Sequence, residues 1–228
     1  MRRLAFLAAA TGLFLLPLAA NAQSGDRFCS GVGFSDAPDL VIGRIKADAG
    51  KVFFRKNGDR KNTCPSAAPQ CQDKAYLVPG DLVVLGAKRG EFVCVDYDNG
   101  KGSRGGWLPS AALEPAPLAN DPAAWVGGWK RVEADITIEK TKDGLKASGE
   151  ATYGSLDPER VKRGAVNLGS FSGSLALKDG QGRIVDDDSI SGCNVKLARA
   201  GDFLFVRDNN VCGGMNVSFS GLYRRSSQ

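Results

Sequence analysis

Beyond residue 121 the apolar side chains recur at every second position, in one stretch after another. Ile136 and Ile138 share one face, and Leu145, Ala147, Gly149, Ala151 and Tyr153 share another. Phe171, Gly173, Leu175 and Leu177 make a third series, Cys193, Val195 and Leu197 a fourth, and Met215, Val217, Phe219, Gly221 and Tyr223 a fifth. A helix brings a side chain back to the same face every 3.6 residues and a strand every two, so this register predicts strands with one buried face. Lys142-Asp143-Gly144 and Lys178-Asp179-Gly180 are turns between neighbours. About eight strands in about 100 residues predict an antiparallel barrel or sandwich, with the barrel preferred.

The first half shows the same class in shorter pieces. Val52-Phe53-Phe54, Ala75-Tyr76-Leu77-Val78, Leu82-Val83-Val84-Leu85, Phe92-Val93-Cys94-Val95 and Trp107-Leu108 are β-branched and aromatic runs too short for helices. Pro79-Gly80-Asp81 and Asp98-Asn99-Gly100 punctuate them. Three prolines in Glu114-Pro115-Ala116-Pro117-Leu118-Ala119-Asn120-Asp121-Pro122 forbid a continuing helix or ladder and mark a short, stiff linker. The chain is thus expected to be all-β, with an arm at 23–49, a small barrel at 50–114, a linker at 115–122 and a larger barrel at 123–228.

Arg2 and Arg3 precede an apolar run from Leu4 to Ala20, and Ala20-Asn21-Ala22 presents small residues where a signal peptidase reads. This predicts a Sec leader at residues 1–22, cut after Ala22, and a periplasmic or secreted chain that is neither a lipoprotein nor membrane-bound. Six cysteines in an exported chain read as three disulfides. Fifteen pairings are possible, but four cysteines fall in the first half and two in the second. Pairing within domains gives Cys29–Cys94, Cys64–Cys71 and Cys193–Cys212. After the cut, 28 basic residues face 25 acidic ones, a net charge of +3 spread evenly over both halves. No one-sided basic stripe exists for nucleic acid.

Two resemblances follow from particular residues. Ala75-Tyr76-Leu77-Val78-Pro79-Gly80-Asp81-Leu82-Val83-Val84, followed by Gly106-Trp107-Leu108-Pro109-Ser110-Ala111-Ala112-Leu113, resembles a bacterial SH3-type domain of exported proteins over residues 50–114. Ala112 stands where peptide-binding SH3 domains carry a tyrosine, which speaks against a polyproline groove. Tyr76, Phe92, Tyr97 and Trp107 are the candidates for a ligand-facing patch, set against the larger share of aromatics that simply fill small cores. In the second half, Trp125-Val126-Gly127-Gly128-Trp129 and the terminal Tyr223-Arg224-Arg225 are similar to the calycins, the lipocalin and avidin group. That resemblance implies that Arg224 packs over Trp129 and closes the barrel base.

The chain has no histidine, which removes Ser-His-Asp and Cys-His catalysis and His-based metal sites. There is also no G-x-S-x-G, S-x-x-K or P-loop. Gly100-Lys101-Gly102-Ser103-Arg104-Gly105 has dinucleotide spacing but sits in an apparent hairpin. Asp96 and Asp98 are the remaining carboxylate pair, and Asp186-Asp187-Asp188 reads as a solvated turn rather than a calcium loop. No enzyme activity, metal or cofactor is expected. The loop around Cys212, with Asn209, Asn210 and Asn216, is the candidate recognition loop. The expected function is non-catalytic binding by a monomer, of a cell-wall peptide or glycan or of a periplasmic protein. Inhibition of a cell-wall hydrolase and carriage of a small apolar ligand in the second barrel are the alternatives.

Overall fold

The computed structural model describes residues 28–36, 38–59, 63–185 and 192–226. The leader with its cut and Asp186-Asp187-Asp188 lie outside them. The chain is all-β, as the alternation predicts. β1 (Val41–Ile45), β2 (Val52–Arg55), β3 (Gln72–Leu77), β4 (Leu82–Arg89), β5 (Phe92–Asp98), β6 (Ser103–Pro109) and β7 (Leu113–Pro115) form one curled sheet in the order β3-β2-β6-β5-β4-β1-β7. The sheet thus recruits β1, which pairs with both β4 and β7, from the segment read as an arm. Gly43 and Arg44 interrupt its apolar run, so the strand carries little alternation to betray it. A core of Ile45, Val52, Phe54, Leu77, Val83, Val93, Val95 and Leu108 fills the curl.

Gly100–Gly105 belongs to the β5–β6 hairpin and opens no helix. A Cβ at Gly105 would fall 2.0 Å from the Ser30 backbone, so the glycine there lets residues 29–31 cross the strand. The same crossing lets Cys29 reach Cys94. Cys64–Cys71 and Cys193–Cys212 are also paired as expected.

β8 (Gly127–Arg131), β9 (Ala134–Thr141), β10 (Gly144–Tyr153), β11 (Asn167–Lys178), β12 (Gln181–Val185), β13 (Asn194–Ala200), β14 (Phe203–Asp208) and β15 (Gly221–Arg225) close into an eight-stranded antiparallel barrel. Each strand pairs with the next, and β15 returns to β8. A single helical turn, α1 (Pro158–Lys162), lies between β10 and β11, with Asp157 as its N-cap. Among the described residues no helix is long and apolar enough to cross a membrane.

The proline segment is stiff but not free. Ala116 N–H donates to Ile42 O at 2.9 Å, Leu118 bridges to Ala200, and Ala119 N–H donates to Arg199 O at 2.8 Å. The second barrel is held against the first sheet by a shared core of Val32, Leu40, Ile42 and Val84 with Ala198, Ala200, Phe205 and Leu222. β13 and β14 therefore bury both faces. Arg207 extends from β14 to an ion pair with Asp96 on β5.

Candidate functional site

The four aromatic candidates do not meet. Phe92 and Trp107 are buried against the Cys29–Cys94 disulfide, which corrects their reading as ligand-facing. Asn57 explains why Trp107 is held there: its Oδ1 accepts both the indole N–H at 2.9 Å and the Cys29 amide at 2.7 Å. Tyr97 turns toward the domain junction, where burial and the neighbouring Asp81 carboxylate raise its hydroxyl pKa. Tyr76 alone stays on open surface, 43% exposed, with Lys51 Nζ 4.4 Å from its ring centroid.

The interior of the second barrel is filled. Trp125, Trp129, Ile136, Ile138, Leu197, Leu204, Phe219 and Tyr223 are wholly buried along it. An eight-stranded barrel is just wide enough for side chains to fill. Gly149 contributes to that filling: a Cβ there would meet the Phe171 ring at 2.5 Å. Phe171 and Phe219 instead pack edge to face, 4.8 Å between centroids. At the base, Trp129 Nε1 donates to Trp125 O at 3.0 Å, and Trp125 Nε1 to Ala119 O at 2.9 Å. The cation over Trp129 is Arg225, 4.6 Å from the ring centroid, and not Arg224. Strand parity is the reason: Tyr223 points inward, so Arg225, two residues on, follows it to the base. Arg224 faces outward and stacks on Phe203 at 4.7 Å.

The opposite end of the barrel is built differently. The two-residue turns β9–β10, β11–β12 and β13–β14 lie at the base, while the far end carries the two-residue turn β8–β9 and the longer connections β10–β11, β12–β13 and β14–β15. Glu133, in the β8–β9 turn with φ of 57°, ties two of these together. Its Oε1 accepts from Ser155 N–H at 2.7 Å and Ser155 Oγ–H at 2.9 Å, and its carbonyl accepts from Thr152 N–H at 2.8 Å. Burial opposes ionisation, yet the Ser155 hydroxyl and the amides of Ser155, Gly154 and Leu156 together outweigh it and hold the Glu133 carboxyl below the ordinary glutamate range.

The Cys212 loop docks beside them. Gly213 bridges to Gly169, Gly214 N–H donates to Leu168 O at 2.9 Å, and Asn167 Nδ2 donates to Met215 O at 2.6 Å. Asn209 is spent on the start of β13, accepting from Asn194 N–H at 3.1 Å and donating to Gly192 O at 3.0 Å. Asn210 and Asn216 are exposed turn residues with φ of 61° and 66°. Met215, expected on the inward face, is 79% exposed, and Tyr153 also faces out. In place of a continuous strand, residues 209–220 form a disulfide-pinned loop, and the ladder resumes only at Gly221.

Protein-family models, curated proteins and solved structures contain no match to this chain.

Exposure singles out the loop end. Of the eleven large apolar side chains left exposed among the described residues, seven lie there: Val132, Tyr153, Leu156, Val161, Leu168, Val211 and Met215. The signal for Leu168 was present in the sequence, since it is out of phase with Phe171, Gly173 and Leu175 on the same strand. Leu156, Val161 and Val211 sit in connections that have no period to read. The charges around them are mixed. Arg160 lies over the Tyr153 ring at 4.9 Å, and Lys162 and Arg163 share their segment with Asp157 and Glu159.

Proposed function

We propose that this chain is a non-catalytic binding protein of an extracytoplasmic compartment, gripping another protein with the loop end of its C-terminal barrel. The carrying observation is the convergence of seven exposed apolar side chains on disulfide-pinned connections. Apolar side chains left out of water's reach by a partner stabilise association, and a patch of this kind marks an interaction surface. The surroundings favour a protein over the other occupants. Anionic lipid wants a basic rim, and this rim alternates in sign. Glycans want open aromatic faces, and the Tyr153 ring is covered by Arg160. Three disulfides fit an oxidising compartment.

The resemblances to SH3-type domains of exported proteins and to calycins agree with a binding role. With Phe92 and Trp107 packed inside, however, the first sheet offers little for cell-wall recognition beyond Tyr76. Carriage of an apolar ligand has no support from the filled barrel axis.

A photo-crosslinking residue placed at Leu168 or Met215 of the exported chain tests the reading, with Tyr76 as the control position. Discrete protein adducts from the two loop-end positions and none from Tyr76 are expected. Adducts from Tyr76 alone, or none from 168 and 215, would sink it. The pinned, protruding Cys212 loop favours one narrower version, in which the partner is a cell-wall hydrolase. Full activity of chicken-, goose- and invertebrate-type lysozymes in excess of the protein removes that version.

A further inference from the structure

The outer face of the β2–β3 pair carries charge of one sign. Val52, Phe54 and Leu77 point into the core of the first sheet, so strand parity turns Lys51, Phe53 and Arg55 outward along β2 and Gln72, Lys74 and Tyr76 outward along β3. Phe53 and Tyr76 stand opposite one another, with ring centroids 5.5 Å apart, and Lys51 lies over the Tyr76 ring. A bulge places the remaining lysine. Phe53 pairs with Tyr76 and Arg55 with Gln72, so Phe54 alone stands against three residues of β3. Asp73 takes up the amides of that bulge: its Oδ1 accepts Lys74 N–H at 2.6 Å and Ala75 N–H at 3.2 Å. Lys74 is thereby turned out at mid-strand, between Phe53 and Arg55, as bulges re-aim side chains.

These cations are unanswered. Asp73 belongs to the opposite side of the sheet, where its Oδ2 pairs with Arg104 at 2.7 Å and Arg104 lies over the inward Phe54 ring at 5.2 Å. Asp48 and Asp59, the next acids in sequence, lie in the connections on either side of β2. Among the described residues no acid occupies an outward position of the two strands, and none of Lys51, Arg55 and Lys74 makes an ion pair. Arg55 adds an independent sign of a missing acceptor. Its Nη1 meets only Gln72 Oε1, at 3.5 Å, and its Nε is buried with no hydrogen-bond partner. Native structures seldom leave a charged donor in that state.

We infer that this face binds a linear acidic polysaccharide, whose carboxylates are met by Lys51, Lys74 and Arg55. Charge complementarity sets the sign of the occupant. Its shape follows from the strand: Lys51 and Arg55 are four residues apart, roughly 13 Å in extended chain, so a compact anion reaches one cation where an extended polyanion reaches all three. Other polyanions fit less well. Lys51 occupies a face of the Tyr76 ring and Phe53 tilts 56° to it, which leaves no flat platform for successive nucleobases. An acidic peptide adding to the open edge of β3 is opposed by the bulge and by Asp73, which ties up the amides of Lys74 and Ala75. A lipid surface wants apolar side chains that enter it, and Phe53 is half-buried between the cations. The inference goes beyond the loop-end reading and does not depend on it.

Titration calorimetry of the exported chain at low ionic strength tests it, with oligogalacturonate as the probe, its methyl ester as the uncharged match and inorganic phosphate as the compact anion. Saturable binding of the oligogalacturonate is expected, lost in the methyl ester and weakening as salt is raised. Lys51→Gln and Lys74→Gln, both at exposed positions, are each expected to weaken it about threefold and together about tenfold. Lys146→Gln, on the outer face of β10, leaves it unchanged. No binding of the oligogalacturonate, equal binding of the methyl ester or of phosphate, or full binding by the double variant overturns the inference. An equal loss in Lys146→Gln also overturns it, since the attraction would then belong to no particular face. Retention on phosphatidylglycerol vesicles without binding of the oligogalacturonate overturns the polysaccharide assignment and makes the face a membrane contact.

Discussion

The two ends of the C-terminal barrel are made from the same strands and do opposite things. At the base, the entry turn at Pro122–Trp125 and the paired strands β8 and β15 bring two tryptophans and Arg225 into one plug, with both indole N–H groups bonded to carbonyls. At the far end, the β14–β15 loop docks on the start of β11 and the β10–β11 connection on the two-residue β8–β9 turn, with polar groups secured through Glu133, Asn167 and Asn209 and apolar side chains left outside. One end minimises free energy, while the other holds surface in reserve. Their difference teaches that closure of the barrel does not require burial of its loops. The loop end can leave apolar side chains exposed without weakening the fold.

The largest expected effect tests that separation directly. Trp129→Ala at the base is expected to cost about 3–5 kcal/mol of stability, whereas Met215→Ser stays within about 0.5 kcal/mol, both read from denaturant midpoints. Comparable losses from the two substitutions would mean that the loop end is structural after all. A smaller effect comes from replacing Cys193 and Cys212 together by serine. The pair spans 19 residues, and its loss is expected to cost about 2–4 kcal/mol. Hydrogen exchange is expected to accelerate around residues 209–216 while the base amides keep their protection. If protection falls throughout the barrel, the pinning is global.

The smallest effect is electrostatic. The folded-state pKa of Glu133 is depressed, so its contribution is complete above the ordinary glutamate value of about 4.3 and is lost as pH falls through the lower folded value. The Ser155 amide resonance is expected to titrate in that acidic window, and Glu133→Gln to flatten the curve. An unchanged titration in the variant would remove Glu133 as the tie between the β8–β9 and β10–β11 connections.

The fold was legible because it is carried by alternation, and the disulfides because their cysteines are distributed unevenly between two halves. Parity also contained what the calycin resemblance obscured: counting by two from Tyr223 leads to Arg225, which covers Trp129. Phe92 and Trp107 illustrate the opposite limit. Aromatic character says that a side chain wants burial or a ligand, and only the position of Cys29 across β5 and β6 decides which. β1 escaped because Gly43 and Arg44 break its run.

The double burial of β13 and β14 bears on how such a chain can be rearranged. Cutting it at the proline segment would not release two modules. It would expose Phe205 and Leu222 on one piece and Ile42 and Val84 on the other, giving each fragment an adhesive stripe in place of a solvated surface. Neither half is then a portable cassette, and recombination that moved one without the other would be selected against at the level of solubility, before any loss of binding was felt.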